Sequence, residues 1–579
     1  MATYDINKIK LTSNTENSMR YEKIELIKTG EITEISVRLG FDKETSPSVY
    51  SISWEEEQID MIGFWSSKAS LQHNLTPDWY MRNEKSRTAT GMPLISLYNK
   101  ADINRITVAL SDPASPTVIS AGVVEETGTI CFKIDLFSEI SPKMSEYEAV
   151  IRIDRRNIPF FKAVSDVREW WSDIGYGCCY VPDSAKMPMY STWYSFHQYT
   201  IPDEIIAECK LAKQYGMDTV IVDDGWQTDD NSRGYAFCGD WKICKNKIPD
   251  MKAFVEAVHS LGMKFMIWFS VPFVGFESEN YERFKGMYLV TRQNAKASVL
   301  DPRFKEVRDF LTNIYCDYVK EYGWDGLKLD FIDSFMLSEE SSDNYEKMDC
   351  ISVEDGLKKL LEEAYSKLRL INPDIMIEFR QSYVGPIVSG FGNIFRVGDC
   401  PNDALINRVH SLNLRLTSKD IAVHSDMIMW NKNDTVQSVA YQLLGTIFSV
   451  PQISVRLDNI TEEQKKLLKN YLSFWREHRD VLLNGSLEVF GVQANYSMAQ
   501  STKNDETVCV LYQEAVAKPK NKTLTYIFNS TGADFIYVEL QEKANYEIFD
   551  IFGNSYASGS LNAGVHRLPV KNCEMVKLK

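Results

Sequence analysis

Gly326-Leu327-Lys328-Leu329-Asp330-Phe331 puts an ammonium and a carboxylate two residues apart inside an apolar run. Side chains at i and i+2 of a strand share one face, so Lys328 and Asp330 are expected to project together at the end of a buried strand. Burying such a pair is costly unless it has a function. An aspartate held ionised beside a lysine suits a nucleophile. Working outward, the helical run FKEVRDFLTNIYCDYVKEYG (304–323) feeds this strand, and VEDGLKKLLEEAYSKLRL (353–370) leads from it to the next, DIMIEFRQ (374–381).

The same alternation extends both ways. YSTWYSFH (190–197) precedes the helical IPDEIIAECKLAKQYG (201–216), where Pro202 suits a first turn and Gly216 a stop. TVIVDDGW (219–226), the helical MKAFVEAVHSLG (251–262) and strand-like KFMIWFS (264–270) follow. Beyond the central motif, IFRVGD (394–399), IAVHSDMI (421–428) and SVPQISV (449–455) complete about eight strands with crossovers. That is the count of a (β/α)8 TIM barrel, and the near-continuous apolar strands suit a parallel sheet covered by helices. A doubly wound open sheet is the alternative, but no GxGxxG phosphate loop accompanies these strands. TEEQKKLLKNYLSFWREHRDVLLNG (461–485) reads as the last barrel helix, with Thr461 and Gln464 at capping-box spacing.

On either side the chain reads as β. Short β-branched and aromatic runs such as EITEISVRLGF (31–41) and TICFKIDLF (129–137) predict an N-terminal β-sandwich over 1–165. The barrel is expected over 166–484, and runs such as LTYIFNS (524–530) predict a small C-terminal β-sandwich over 485–579. With 44% hydrophobic and 25% charged residues the 579-residue chain has an ordinary globular composition. Its net charge of -16 argues against a nucleic-acid partner. No apolar run is long enough to span a bilayer, and the first residues lack the apolar core of a signal peptide. The 11 cysteines show no zinc-site spacing and are expected to be reduced thiols, as in a cytoplasmic protein.

Barrel enzymes place their chemistry at the C-terminal ends of the strands. Those ends carry Trp193 and His197, then Asp223, Asp224 and Trp226, then Trp268, then Lys328 and Asp330, then Glu378 and Arg380, then Arg396 and Asp399, then His424 and Asp426. Many carboxylates with aromatic platforms and no metal-binding histidine pair describe a sugar site, in which two carboxylates flank the scissile bond.

In order, STWYSFHQ (191–198), VIVDDGWQ (220–227), IWF (267–269), GLKLDF (326–331) and FRVGDCPNDA (395–404) resemble the motifs of glycoside hydrolase family 36. That family holds α-galactosidases and raffinose- and stachyose-type galactosyltransferases. The resemblance covers roughly residues 170–455. It implies a retaining α-galactosidase needing no cofactor and no metal, with a glycoside or oligosaccharide substrate and a tendency to form homo-oligomers. Transfer to an acceptor alcohol, a related α-glycosidase acting on a substituted sugar, and noncatalytic sugar binding are the alternative readings. Residue by residue, Asp330 matches the nucleophile and Asp399 the acid/base, with Asp403 as a weaker candidate for the second role. Asp223 and Asp224 match the grip on the galactose 4- and 6-hydroxyls, Lys328 a hydroxyl donor, and Trp193, Trp226 and Trp268 the subsite walls. Arg396 is grouped with the binding residues.

Asp330 is expected to titrate low because of Lys328, and Asp399 to titrate high enough to hold a proton. His197 and His424 are read as structural. The sequence also departs from the family pattern. Arg380 stands where a small neutral residue is usual and is expected to narrow or recharge the pocket. Ile332 replaces a polar residue, and the N-terminal β region is shorter than in many members.

Overall fold

The computed structural model describes residues 2–6, 9–14, 19–68 and 71–579; Met1 and residues 7–8 of the stretch read for a leader lie outside them. Eight parallel strands form one sheet, in chain order Met189–Ser191, Thr219–Val222, Lys264–Ser270, Gly326–Asp330, Met376–Arg380, Ile394–Arg396, Ala422–His424 and Gln452–Ile453. The first strand pairs with the last, and the seventh reaches the eighth through Val450 N to Val423 O at 2.8 Å and Ile428 N to Gln452 O at 2.8 Å. The sheet therefore closes on itself as the expected TIM barrel. Every residue of Thr219–Val222 and of Gly326–Asp330 is buried. Helices on the outside and packed side chains inside leave no polar face, which is why these strands read as unbroken apolar runs.

Local sequence sets the helix ends. Pro202 opens Pro202–Tyr215, and Gly216 closes it in the left-handed region at φ 97°. Thr461 and Gln464 form the expected capping box on Glu462–Glu477. One crossover departs from the regular pattern. Between Met376–Arg380 and Ile394–Arg396 there is no α-helix, only the 3-10 turn Val388–Gly390. A chain freed from making a helix can run over the barrel mouth, and this segment brings Gln381 and Tyr383 to the strand ends.

Before the barrel, two six-stranded sheets pack face to face around a core that includes Ile35, Val37, Trp54 and Phe132. After it, a seven-stranded and a three-stranded sheet enclose a smaller core including Ile527, Val538 and Val576. The N-terminal sheets also reach the barrel mouth. Arg87 donates to Asp333 O at 2.6 Å and to Phe335 O at 2.5 Å, and Gly91 N donates to Ser382 O at 2.8 Å. The approach is close: a Cβ on Gly385 would lie 2.7 Å from Gly91 O. Among the described residues no helix is long and apolar enough to cross a membrane.

Trp226 belongs to the packing and not to the barrel mouth. Fully buried, it sits against Trp241, Phe269, Tyr318 and Trp324, and its indole N–H donates to Trp268 O at 2.8 Å. The expected subsite wall is thus a core aromatic. Its truncation, Trp226→Ala, should destabilise the fold by about 3–5 kcal/mol. A denaturant midpoint unchanged by the substitution would contradict this placement.

Candidate active site

Asp330 ends the fourth barrel strand and is nearly buried. Its two carboxylate oxygens have different surroundings. Oδ1 accepts from Tyr383 Oη at 2.6 Å, Arg380 Nε at 2.7 Å and Phe331 N at 2.8 Å. Among the described residues, Oδ2 accepts only from the Trp268 indole N–H, at 3.1 Å. Phe331 adopts the left-handed region at φ 65°, which turns its N–H back onto the carboxylate. The Arg380 guanidinium lies over the Phe331 and Tyr383 rings at 5.1 and 5.4 Å. Stacking and the Nη1 bond to Gln381 O at 2.8 Å fix the arginine in place.

Burial opposes charge on Asp330, but the Arg380 guanidinium, the Lys328 ammonium and the Tyr383 and Trp268 donors overcome it. They hold the carboxyl well below the usual carboxylate range. The low titration expected from the sequence is present, with a different leading cause. Lys328 gives its direct ion pair to Asp223 Oδ2, at 2.6 Å, and acts on Asp330 at longer range. Arg380 is the cation in contact. It therefore also serves the nucleophile candidate, a contact not read from the sequence.

Tyr383 was not singled out by the sequence; a tyrosine three residues past a strand end is a weak signal. Tyr383→Phe should lower kcat/KM about 10- to 100-fold, the scale of a lost hydrogen bond to a charged group. It also removes one of the influences that lower the Asp330 pKa, so the acidic limb of the pH profile should move to higher pH. A change in rate with no movement of that limb would contradict the role.

Asp223 and Asp224 end the second strand. Asp223 Oδ1 accepts from Asp224 N at 2.9 Å, and its other oxygen holds Lys328. Asp224 accepts from Gln198 Nε2 at 2.6 Å and Gln227 Nε2 at 2.7 Å. Burial, with the Asp223 charge adding to it and the two amides opposing, pushes Asp224 up to about 6. Both glutamines lie inside the quoted motifs, yet their supporting role was not read from them. Trp268 is buried, and its polar edge points at Asp330. Trp193 is half-buried against His197, ring centroids 4.4 Å apart.

Arg396 organises the sixth strand end. Fully buried, it pairs with Glu378 at 3.3 Å, Asp426 at 2.5 Å and Asp399 at 2.9 Å. Asp426 also accepts from Tyr194 Oη at 2.9 Å and Cys400 N at 2.7 Å, so it is consumed in holding this corner together. Glu378 takes Gln452 Nε2 at 2.6 Å. His424 is fully buried between Ala185 O and Gln452, and burial lowers it to about 3, in keeping with a structural histidine.

Asp399 differs from these acids because its side chain is 50% exposed at the mouth. Burial of the remainder favours the neutral form, but Arg396, Lys328 and Arg380 together lower its pKa below the ordinary value, with Asp330 acting in the opposite direction. The expectation of a raised Asp399 therefore fails: Arg396, read as a substrate ligand, is bonded to the carboxylate itself. Arg380, paired with Asp330, and Arg396, paired with Asp399, are register neighbours on adjacent strands, which puts the two acids at one end of the barrel. Asp403 caps the helix Ala404–Thr417 by accepting from Ile406 N at 2.9 Å, which occupies the rival carboxylate.

The fold is similar to that of known proteins over nearly the whole chain. An α-galactosidase from Lactobacillus brevis superposes with a TM-score of 0.64 at 13% identity, covering 99% of this chain and 86% of that one. The α-galactosidase AgaA from Geobacillus stearothermophilus, solved in complex with raffinose, gives 0.63 at 14% identity, with 99% and 81% covered. At these identities the likeness concerns the fold. In sequence, the α-galactosidase Mel36A of Lactobacillus acidophilus is 25% identical over 359 residues, which span 57% of this chain and 46% of that protein. The chain thus spans less than half the length of this relative. The melibiase family profile matches residues 188–485, just over half of the sequence and all eight barrel strands, and on that match the chain belongs to the melibiase family, within glycoside hydrolase family 36.

Proposed function

We propose that this chain hydrolyses α-galactosides with retention, Asp330 acting as nucleophile and Asp399 as acid/base. The observation that carries the reading is the asymmetry of Asp330. Three donors hold Oδ1, while Oδ2 has one long bond and a lone pair to spare. Oδ2 is the attacking atom. It bonds to the anomeric carbon from the β face as the α-linked oxygen departs, forming a β-galactosyl ester. Asp399 gives its proton to that oxygen. It then takes a proton from water, which attacks the same carbon from the α face and releases Asp330.

The names of the related proteins support the substrate class, since α-galactosidase recurs among them. The Asp223–Lys328 pair offers carboxylate and ammonium groups to sugar hydroxyls on the nucleophile's side. Asp399 must gain a proton when substrate binds. A bound aglycone excludes water from its exposed face, and desolvation raises a carboxyl pKa. The direct test is proton NMR of aryl α-galactoside hydrolysis. The first galactose formed should be the α-anomer, mutarotating later; initial β-galactose would rule out the double displacement.

A further inference from the structure

A cavity of about 220 Å³ opens beside Asp399, the residue that protonates the leaving group in the proposed reaction. One wall comes from the barrel mouth, with Gln381, Asp399 and His410; the other comes from the N-terminal sheets, with Ser67, Lys68 and Gly91. The two walls are tied together by the Gly91 N to Ser382 O bond and by both Arg87 bonds to the segment after Asp330. Gln381 Oε1 accepts from Gly398 N at 3.1 Å and lies 2.9 Å from His410 Nδ1, so this wall has a fixed orientation. Asp399 is the one carboxylate among the described lining residues.

Lys68 is exposed, and among the described residues it makes no carboxylate ion pair within 4 Å. The acid beneath it, Glu84, is fully buried, is hydrogen-bonded to Ser67 at 2.7 Å and is pushed up to about 7 by burial. Glu84 therefore neutralises Lys68 only in part. In a chain of net charge -16, an exposed lysine lining a cavity at the acid/base is a selective feature, because it attracts what most of the surface repels.

We infer that this cavity is the aglycone subsite and that Lys68 selects a leaving group bearing a carboxylate, a sugar acid. The inference rests on the proposed function, because it takes Asp399 as the residue that protonates the leaving oxygen. Asp399 is ionised before substrate binds and neutral when it protonates the leaving oxygen; a carboxylate bound beside it raises its pKa and so favours that neutral form.

The test uses two open-chain derivatives of melibiose with the same primary leaving oxygen. One has its reducing end oxidised to the carboxylate, the other reduced to the neutral alditol. At low ionic strength kcat/KM should favour the carboxylate about three- to fivefold, the size of a partly screened ion pair. The preference should shrink in high salt, vanish in Lys68→Met and reverse in Lys68→Glu. A ratio near one in the unaltered protein, or a preference that survives Lys68→Met, overturns the inference. An aryl α-galactoside measured alongside separates the two levels. Its turnover with a ratio near one rejects the sugar-acid subsite alone; absence of turnover on every α-galactoside rejects the function and this inference together.

Discussion

Asp330→Asn should lower turnover of an aryl α-galactoside by at least about 10³-fold, since an amide cannot form the glycosyl ester and the covalent route is lost. The variant keeps the shape of the side chain but leaves the Arg380 charge without its counter-ion. Some loss of stability is therefore expected. The sign follows from the depressed Asp330 pKa. Its ionised form stabilises the native state above the unfolded-state pKa, and that contribution disappears as pH falls through the lower native value. Near neutral pH the wild type should therefore melt at a higher temperature than the variant, and the gap should narrow in strong acid. The kinetic prediction is read on folded protein, verified by an intact cooperative melt. Folded Asp330→Asn with near-normal turnover would remove the nucleophile from the account.

The second large effect concerns Asp399. Asp399→Ala should lower kcat/KM on melibiose by about 10² to 10⁴-fold, the range of general acid catalysis. The first step on a dinitrophenyl α-galactoside, whose leaving group needs no proton, should be affected far less. An equal loss on both substrates would assign Asp399 to binding or folding. The ion pair with Arg396 adds a pH signature in the wild type. Because Asp399 is held low by Arg396, the basic limb of kcat/KM, which reports the free enzyme, should lie at lower pH than the basic limb of kcat, which reports the substrate complex.

Much of the barrel was legible because its strands obey a simple rule. All eight are short runs, and seven lie within the segments read from the sequence; the first, Met189–Ser191, begins one residue ahead of YSTWYSFH, whose Trp193–Phe196 is helical. Caps such as Thr461 with Gln464 were equally readable, since they depend on neighbours in sequence. What escaped depends on neighbours in space. Trp226 and Trp268 look alike in sequence, but one turns into an aromatic core while the other aims its N–H at Asp330.

The partner of Lys328 is another such case. The i, i+2 rule correctly placed both side chains inside the barrel, yet it could not foretell that Asp223 on a different strand lies nearer in hydrogen-bonding terms. Arg380 and Arg396 carried the same ambiguity: a cation in a sugar site can face the ligand or hold an acid. Both hold acids, Asp330 and Asp399 respectively. Tyr383 arrives through a crossover that lacks its helix, and no periodicity marks that departure.

The roles of the two aspartates can be separated by azide rescue. In Asp330→Gly a small cavity replaces the carboxylate, and azide can attack the anomeric carbon of an activated α-galactoside directly from the β face. That variant should yield β-galactosyl azide. In Asp399→Ala azide intercepts the covalent ester from the opposite face, and the account predicts α-galactosyl azide. The reverse pattern, or rescue of neither variant by azide, would contradict the assignment of Asp330 as nucleophile and Asp399 as acid/base.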